Sequence, residues 1–158
     1  MLRLASHSVS LIVALVAVVS ADRQVIRPSG LPDSPLFSHA IVSNGMVYVS
    51  GTVGLNVTGW SGSGGAQPTL CEGGIEAQTS CAFKLIEQVL GAWESPSVSL
   101  ANIVDCTVFL ASMEDYAGLN AAWTKIFPKD PPARAAFAAK ELALGAAAEF
   151  KCIATLNL

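Results

Sequence analysis

Pro131-Pro132-Ala133-Arg134 leads into a run of small residues, and nothing beside it in sequence neutralises the arginine. A planar guanidinium suits a carboxylate, which it can hold through two parallel hydrogen bonds. Further on, Glu149 stands alone between Ala146-Ala147-Ala148 and Phe150. A carboxylate in that setting can orient or deprotonate a water. On spacing alone a plainer account is favoured, in which Arg134 and Glu149 pair with each other or with solvent.

Other chemistries fail on inventory. There are two histidines, and one of them, His7, lies in an N-terminal apolar segment. His39 is left, and it reads as a surface or half-buried residue beside a strand. No Cys-x-x-Cys or His-Glu-x-x-His spacing exists to hold zinc. No Gly-x-Ser-x-Gly elbow occurs, and with His39 as the one histidine left a Ser-His-Asp triad is barely possible. Gly59 to Pro68 is rich in glycine but lacks the Gly-Lys-Ser/Thr ending of a phosphate loop, so it reads as a flexible surface loop. A formal charge of −3, with nine scattered Lys and Arg, argues against a nucleic-acid binder.

The elements that must position Arg134 and Glu149 follow from pattern. Ala40-Ile41-Val42 and Met46-Val47-Tyr48-Val49 flank Ser43-Asn44-Gly45, a hairpin signal because both central turn residues need positive φ. Between Gly74 and Glu94, apolar residues recur every three or four positions, giving one face of a helix. Ile103 to Leu110 is β-branched and aromatic-rich, a strand. Ser112-Met113-Glu114-Asp115 resembles a cap, and a second helix through Tyr116, Leu119, Trp123 and Phe127 stops at Pro128. Ala135–Ala139 and Glu149–Leu156 are expected to close the domain as two strands around a Leu144-Gly145 turn. The order ββ-α-β-α-ββ predicts an α+β two-layer sandwich, with two helices on one face of a mixed sheet.

Residues 1–21 have the layout of a secretory signal peptide. Arg3 is followed by nine unbroken apolar residues, Leu11 to Val19, and small residues end at Ala21. That run is too short to span a bilayer of about 30 Å. The expected product is secreted or lumenal, with no membrane attachment once the leader is removed. Residues 22–34 read as an N-terminal arm and 35–158 as one domain. Asn56-Val57-Thr58 is a glycosylation sequon. Cys71, Cys81, Cys106 and Cys152 permit three complete pairings. Cys106 and Cys152 lie in apolar strand patterns and read as small buried hydrophobes, whereas a local Cys71–Cys81 bridge is conceivable.

Several segments resemble one family. Ser38-His39-Ala40 before the Asn-Gly hairpin, Val47-Tyr48-Val49-Ser50-Gly51 and Ile75-Glu76-Ala77-Gln78-Thr79 are similar to the Rid family, the reactive intermediate imine deaminases or YjgF/UK114 group. Val108-Phe109-Leu110, Asp115-Tyr116, Leu119-Asn120, Pro132-Ala133-Arg134 and Glu149-Phe150-Lys151-Cys152-Ile153-Ala154 continue the resemblance in order, from about Pro35 to Thr155. It implies a chorismate-mutase-like fold and a homotrimer with a pocket at each subunit interface. It also implies hydrolysis of 2-imino acids, such as 2-iminobutanoate and 2-iminopropanoate, to 2-keto acids and ammonia, without metal or organic cofactor. By the same resemblance Arg134 grips the substrate carboxylate, Glu149 holds the attacking water, and Ser50 and Asn120 lie at the pocket. Phe37 stands where many members carry tyrosine, and Ala136 where cysteine is frequent, so the pocket is more apolar. An alternative of another class is a non-catalytic trimeric binder of small carboxylates using the same arginine. A ribonuclease or holdase role finds no basic groove here. With charged residues at only 13%, the chain is expected to assemble, with Ala135–Ala139 and Ala146–Ala148 facing neighbouring copies.

Overall fold

The computed structural model describes residues 23–62 and 66–156, and the expected leader, residues 1–21, lies outside them. Strand β1 (Gln24–Ile26) adds antiparallel to β2 (Ala40–Ser43). Part of the expected arm is therefore sheet, because Ile26 points inward and is buried in the core. Asn44 and Gly45 take φ of 51° and 75°, as a two-residue hairpin turn requires. The chain returns as β3 (Met46–Val49), then β4 (Thr52–Val53) and a separate ribbon of β5 (Leu55–Asn56) and β6 (Thr69–Leu70).

Helix α1 spans Gly74–Gly91, entered through Gly73 at φ 106° with Glu76 in its first turn. An acid there opposes the positive end of the helix dipole. Thr79, Ala82, Phe83, Ile86, Val89 and Leu90 form its buried face, the three-and-four spacing read from sequence. Strand β7 (Ile103–Leu110) follows. The Ser112 hydroxyl then accepts from the Glu114 N–H at 3.1 Å, capping a short 3₁₀ turn that leads into helix α2 (Tyr116–Ile126). Strands β8 (Ala133–Ala138) and β9 (Ala148–Thr155) end the fold. Both helices pack on one face of the sheet. Phe83 sits at the centre of that layer, with edge contacts to Trp123, Phe127 and Phe150 at ring separations of 5.0–5.5 Å.

Sheet order corrects two expectations. It runs β1-β2-β3-β9-β7-β8, with β4 also on β9. The last two strands do not neighbour each other. The crossover through α2 lays β8 parallel to β7, as a strand–helix–strand unit does. β9 enters between β3 and β7, antiparallel to both. In that central place Ala148, like Ala146 just before it, is fully buried within its own chain, so these alanines face no neighbour. Ala135 and Ala138, on the edge strand, remain exposed.

The cysteines are a third correction. Cys106 and Cys152 stand directly opposite on β7 and β9, with Cα atoms 4.2 Å apart, and form a disulfide. They are buried as expected, but bridged rather than free. A Cα separation this short marks the close, non-hydrogen-bonded kind of antiparallel pair, where side chains meet. Cys71–Cys81 is also bridged, tying β6 to α1. A Cys106→Ala/Cys152→Ala variant should lose about 2–4 kcal/mol of stability, since the bridge closes a 46-residue separation. Urea denaturation curves measure this; superposable curves would contradict a formed bridge.

Candidate functional site

Arg134 sits on edge strand β8, opposite Cys106, on the helix side of the sheet. Its Nη2 donates to Asn120 Oδ1 at 2.7 Å and lies 3.5 Å from the Tyr116 hydroxyl. The guanidinium carbon is 4.7 Å from the Trp123 ring centre and 5.7 Å from that of Tyr116. Aromatic faces attract such a cation and hold its plane. Nη1 is shielded from solvent and has no hydrogen-bond partner. Of the plainer expectation, pairing of Arg134 and Glu149 with each other or with solvent, the mutual pair does not form, and Glu149 is left facing an open cavity. Tyr116 was missed as a contributor. A signal existed in the spacing of Tyr116, Asn120 and Trp123, which puts all three on one face of α2.

Glu149 lies on β9 opposite Phe109. Side chains alternate along a strand, so Glu149 faces away from the side that holds Cys152 and Arg134. Strand and residue spacings put the Cα atoms of Arg134 and Glu149 roughly 14 Å apart, with β7 between their strands. Within one chain the two groups do not meet.

Glu149 instead lines a cavity of about 470 Å³ with Phe37, His39, Ser50 and Gly51 among its walls. The Ser50 hydroxyl donates to the Ser38 carbonyl at 2.6 Å, and the Ser50 N–H to the His39 carbonyl at 3.0 Å. His39 Nε2–H donates to the Pro32 carbonyl at 3.0 Å, and its ring meets Phe37 edge-on. His39 is thus half-buried beside a strand, as read from sequence. Glu149 has no hydrogen bond or ion pair among the described residues. Of the sequence-derived site residues, Phe37, Ser50 and Glu149 come together at the cavity, and Arg134 and Asn120 form a second group elsewhere.

Gly51 has a steric reason for its place after Ser50. A Cβ at residue 51 would run into the Glu149 carboxylate, Oε1 first. Gly51→Ala should therefore push that carboxylate aside. Misplacing a reacting group by about 1 Å costs on the order of 100-fold in rate. We expect such a loss in turnover with a melting temperature shifted by only a few degrees. Full activity would show that the Glu149 position is unimportant.

No three His, Cys, Asp or Glu side chains among the described residues converge as a metal cluster. The chain matches the family model described as Endoribonuclease L-PSP over residues 32–156. It is 30% identical over 136 residues to the rat protein named 2-iminobutanoate/2-iminopropanoate deaminase, covering 85% of this chain and 91% of that one. It is 32% identical over 118 residues to the Drosophila melanogaster RutC family protein UK114, covering 75% of this chain and 78% of that one. Among solved structures, RidA from an Antarctic Psychrobacter superposes with a TM-score of 0.70 at 27% identity, over 84% of this chain and 98% of the other.

Proposed function

Because the chain belongs to the Rid family, we propose that it hydrolyses reactive 2-imino acids to 2-keto acids and ammonia. The observation that carries this reading is a braced guanidinium, Arg134, in a fold that also sets the partnerless Glu149 carboxylate on a cavity wall. Arg134, braced by Asn120 and stacked on Trp123, holds the substrate carboxylate. Glu149 takes a proton from a water as the oxygen attacks the imine carbon, then returns it to the nitrogen. The adduct's hydroxyl proton then passes through Glu149 to the amine as the C–N bond breaks, releasing ammonia and leaving the ketone. An imine carbon is already electrophilic, so positioning supplies much of the catalysis.

The two groups then come from neighbouring copies of a homotrimer, each interface forming one pocket. In support, the sheet face away from the helices exposes Tyr48 and Phe137, which a partner sheet would cover. Names of relatives support the deaminase chemistry, whereas an endoribonuclease reading finds little support in an acidic chain with nine Lys and Arg. Phe37, which supplies no hydroxyl, is the feature favouring the second reading, a non-catalytic carboxylate binder.

An amino-acid oxidase supplies imino acid, and semicarbazide reports what survives. Added protein should suppress the semicarbazone. An inert protein would overturn the enzyme reading, and a carboxylate bound but never turned over selects the binder. For compartment, we propose the secretory route, supported by the two disulfides and an exposed Asn56. Protein recovered from its source should begin at Asp22; an intact Met1 would reverse this.

A further inference from the structure

We propose that the cavity beside Glu149 is a side-chain subsite that selects 2-imino acids with branched or aromatic side chains. This rests on the reading of Glu149 as the water-holding group. Four polar side chains line the cavity: His39, Ser50, Thr52 and Glu149. Three are already committed to backbone carbonyls. His39 donates to Pro32, Ser50 to Ser38, and Thr52 to Ser50 at 2.9 Å. Glu149 is the one charged side chain among them, and it has no protein partner among the described residues. The remaining wall is apolar, formed by Phe37, Val57, Trp60, Leu85, Val89 and Leu144 among others. One reactive end and one dry end fit a small molecule whose polar head meets Glu149 and whose tail is hydrocarbon.

The cavity in one chain is larger than the smallest substrates need. About 470 Å³ falls within the range of about 300–1,000 Å³ that binds whole small molecules. The methyl group of 2-iminopropanoate would leave most of it unfilled. An isobutyl or benzyl group would displace water from the apolar wall, which is the favourable step. An acidic side chain would meet no cation, since Glu149 is the one charged residue lining the cavity.

The walls are built to stay in place. Leu85 and Val89 belong to the buried face of α1. Trp60 is held in a turn by its N–H to the Val57 carbonyl at 3.0 Å, and Asn56 Oδ1 accepts from the Thr58 N–H at 3.0 Å. The β5–β6 ribbon carrying this turn is tied to α1 by Cys71–Cys81. At the lip, Leu144 adopts φ 58° and ψ 11°, a conformation that bulky residues rarely take. Its side chain is 65% exposed there. Local strain of this kind clusters where a ligand is clamped.

The test compares kcat/KM for imino acids made from leucine, phenylalanine, alanine and glutamate. Wild type should prefer the leucine and phenylalanine products over the alanine product by about tenfold or more, and glutamate should be poorest. Val57→Trp, which fills the cavity from its rim, should lower the leucine-to-alanine ratio at least about tenfold. Leu144→Asp, at an exposed site that does not threaten folding, should lower it in the same direction. A flat or alanine-preferring wild-type profile overturns the proposal, as does a preference that both variants leave intact. Should no imino acid be turned over, the deaminase reading falls and titration decides the subsite alone. Trp60 fluorescence, with Trp60→Phe as control, should then report 4-methyl-2-oxopentanoate binding about tenfold tighter than pyruvate, and Val57→Trp should erase the difference. Equal binding, or none, overturns the subsite.

Discussion

Arg134→Ala is expected to lower kcat/KM for any 2-imino acid by about a hundred- to ten-thousand-fold. Each hydrogen bond to a charged partner is worth about 1.5–3 kcal/mol. Two parallel bonds to a substrate carboxylate therefore correspond to roughly two to four decades at about 1.4 kcal/mol each. Both kcat and KM should change, because the arginine fixes the substrate plane as well as its position. Arg134→Lys should recover less than about tenfold. An ammonium cannot both satisfy Asn120 Oδ1 and lie flat on Trp123 while presenting two donors to a carboxylate. The assay is semicarbazide competition, paired with thermal melts to show that the variants remain folded. Activity within tenfold of wild type in Arg134→Ala would remove the arginine from the mechanism.

The second large effect is a recovery of activity. Arg134→Ala and Glu149→Gln should each be nearly inert alone, yet co-expression under separate tags should restore activity. Arg134 and Glu149 face opposite sides of one sheet, with a strand between theirs. A site built between copies takes its arginine from one chain and its glutamate from the next. Random mixing in a closed ring leaves about a quarter of the interfaces with both groups intact, so about a quarter of the wild-type rate should return. A site contained in one chain would give no recovery. The same outcome decides whether Tyr48 and Phe137 lie on a covered face: recovery requires assembly, and a monomer in gel filtration would predict failure.

Local signals in the chain were reliable where one residue type answers one geometric demand. Asn44 and Gly45 take the positive φ that their turn needs, and Ser112 accepts the hydrogen bond that its cap position invites. The apolar spacing from Ile75 to Leu90 can bury only as a helix face. These are short-range constraints, legible because the partners lie within a few residues. The neighbours of β9 were not legible. An alternating strand such as Ala148–Thr155 fits an edge or a centre equally by pattern, and packing of α2 over β7 and β8 leaves it the central slot. Cysteines in apolar strands satisfy burial whether free or bonded, and only the register of β7 on β9 brings Cys106 and Cys152 within bonding reach.

The candidate site divides in the same way. Sequence by itself determined the family, the two-layer α+β architecture, and the side chains proposed to carry chemistry: an arginine without a sequence neighbour to neutralise it and an isolated glutamate. It also supplied Ser50, Asn120 and Phe37 through the resemblance. Tertiary structure decided how these are grouped. Strand alternation turns Glu149 away from Arg134, helix periodicity puts Tyr116, Asn120 and Trp123 against the guanidinium, and Gly51 leaves room for the carboxylate. The apolar cavity beside Glu149 is also tertiary, since its walls come from segments as distant as Phe37, Trp60, Leu85 and Leu144. A side chain's type is written in the chain, but its partners depend on which faces the packed sheet and helices turn toward each other.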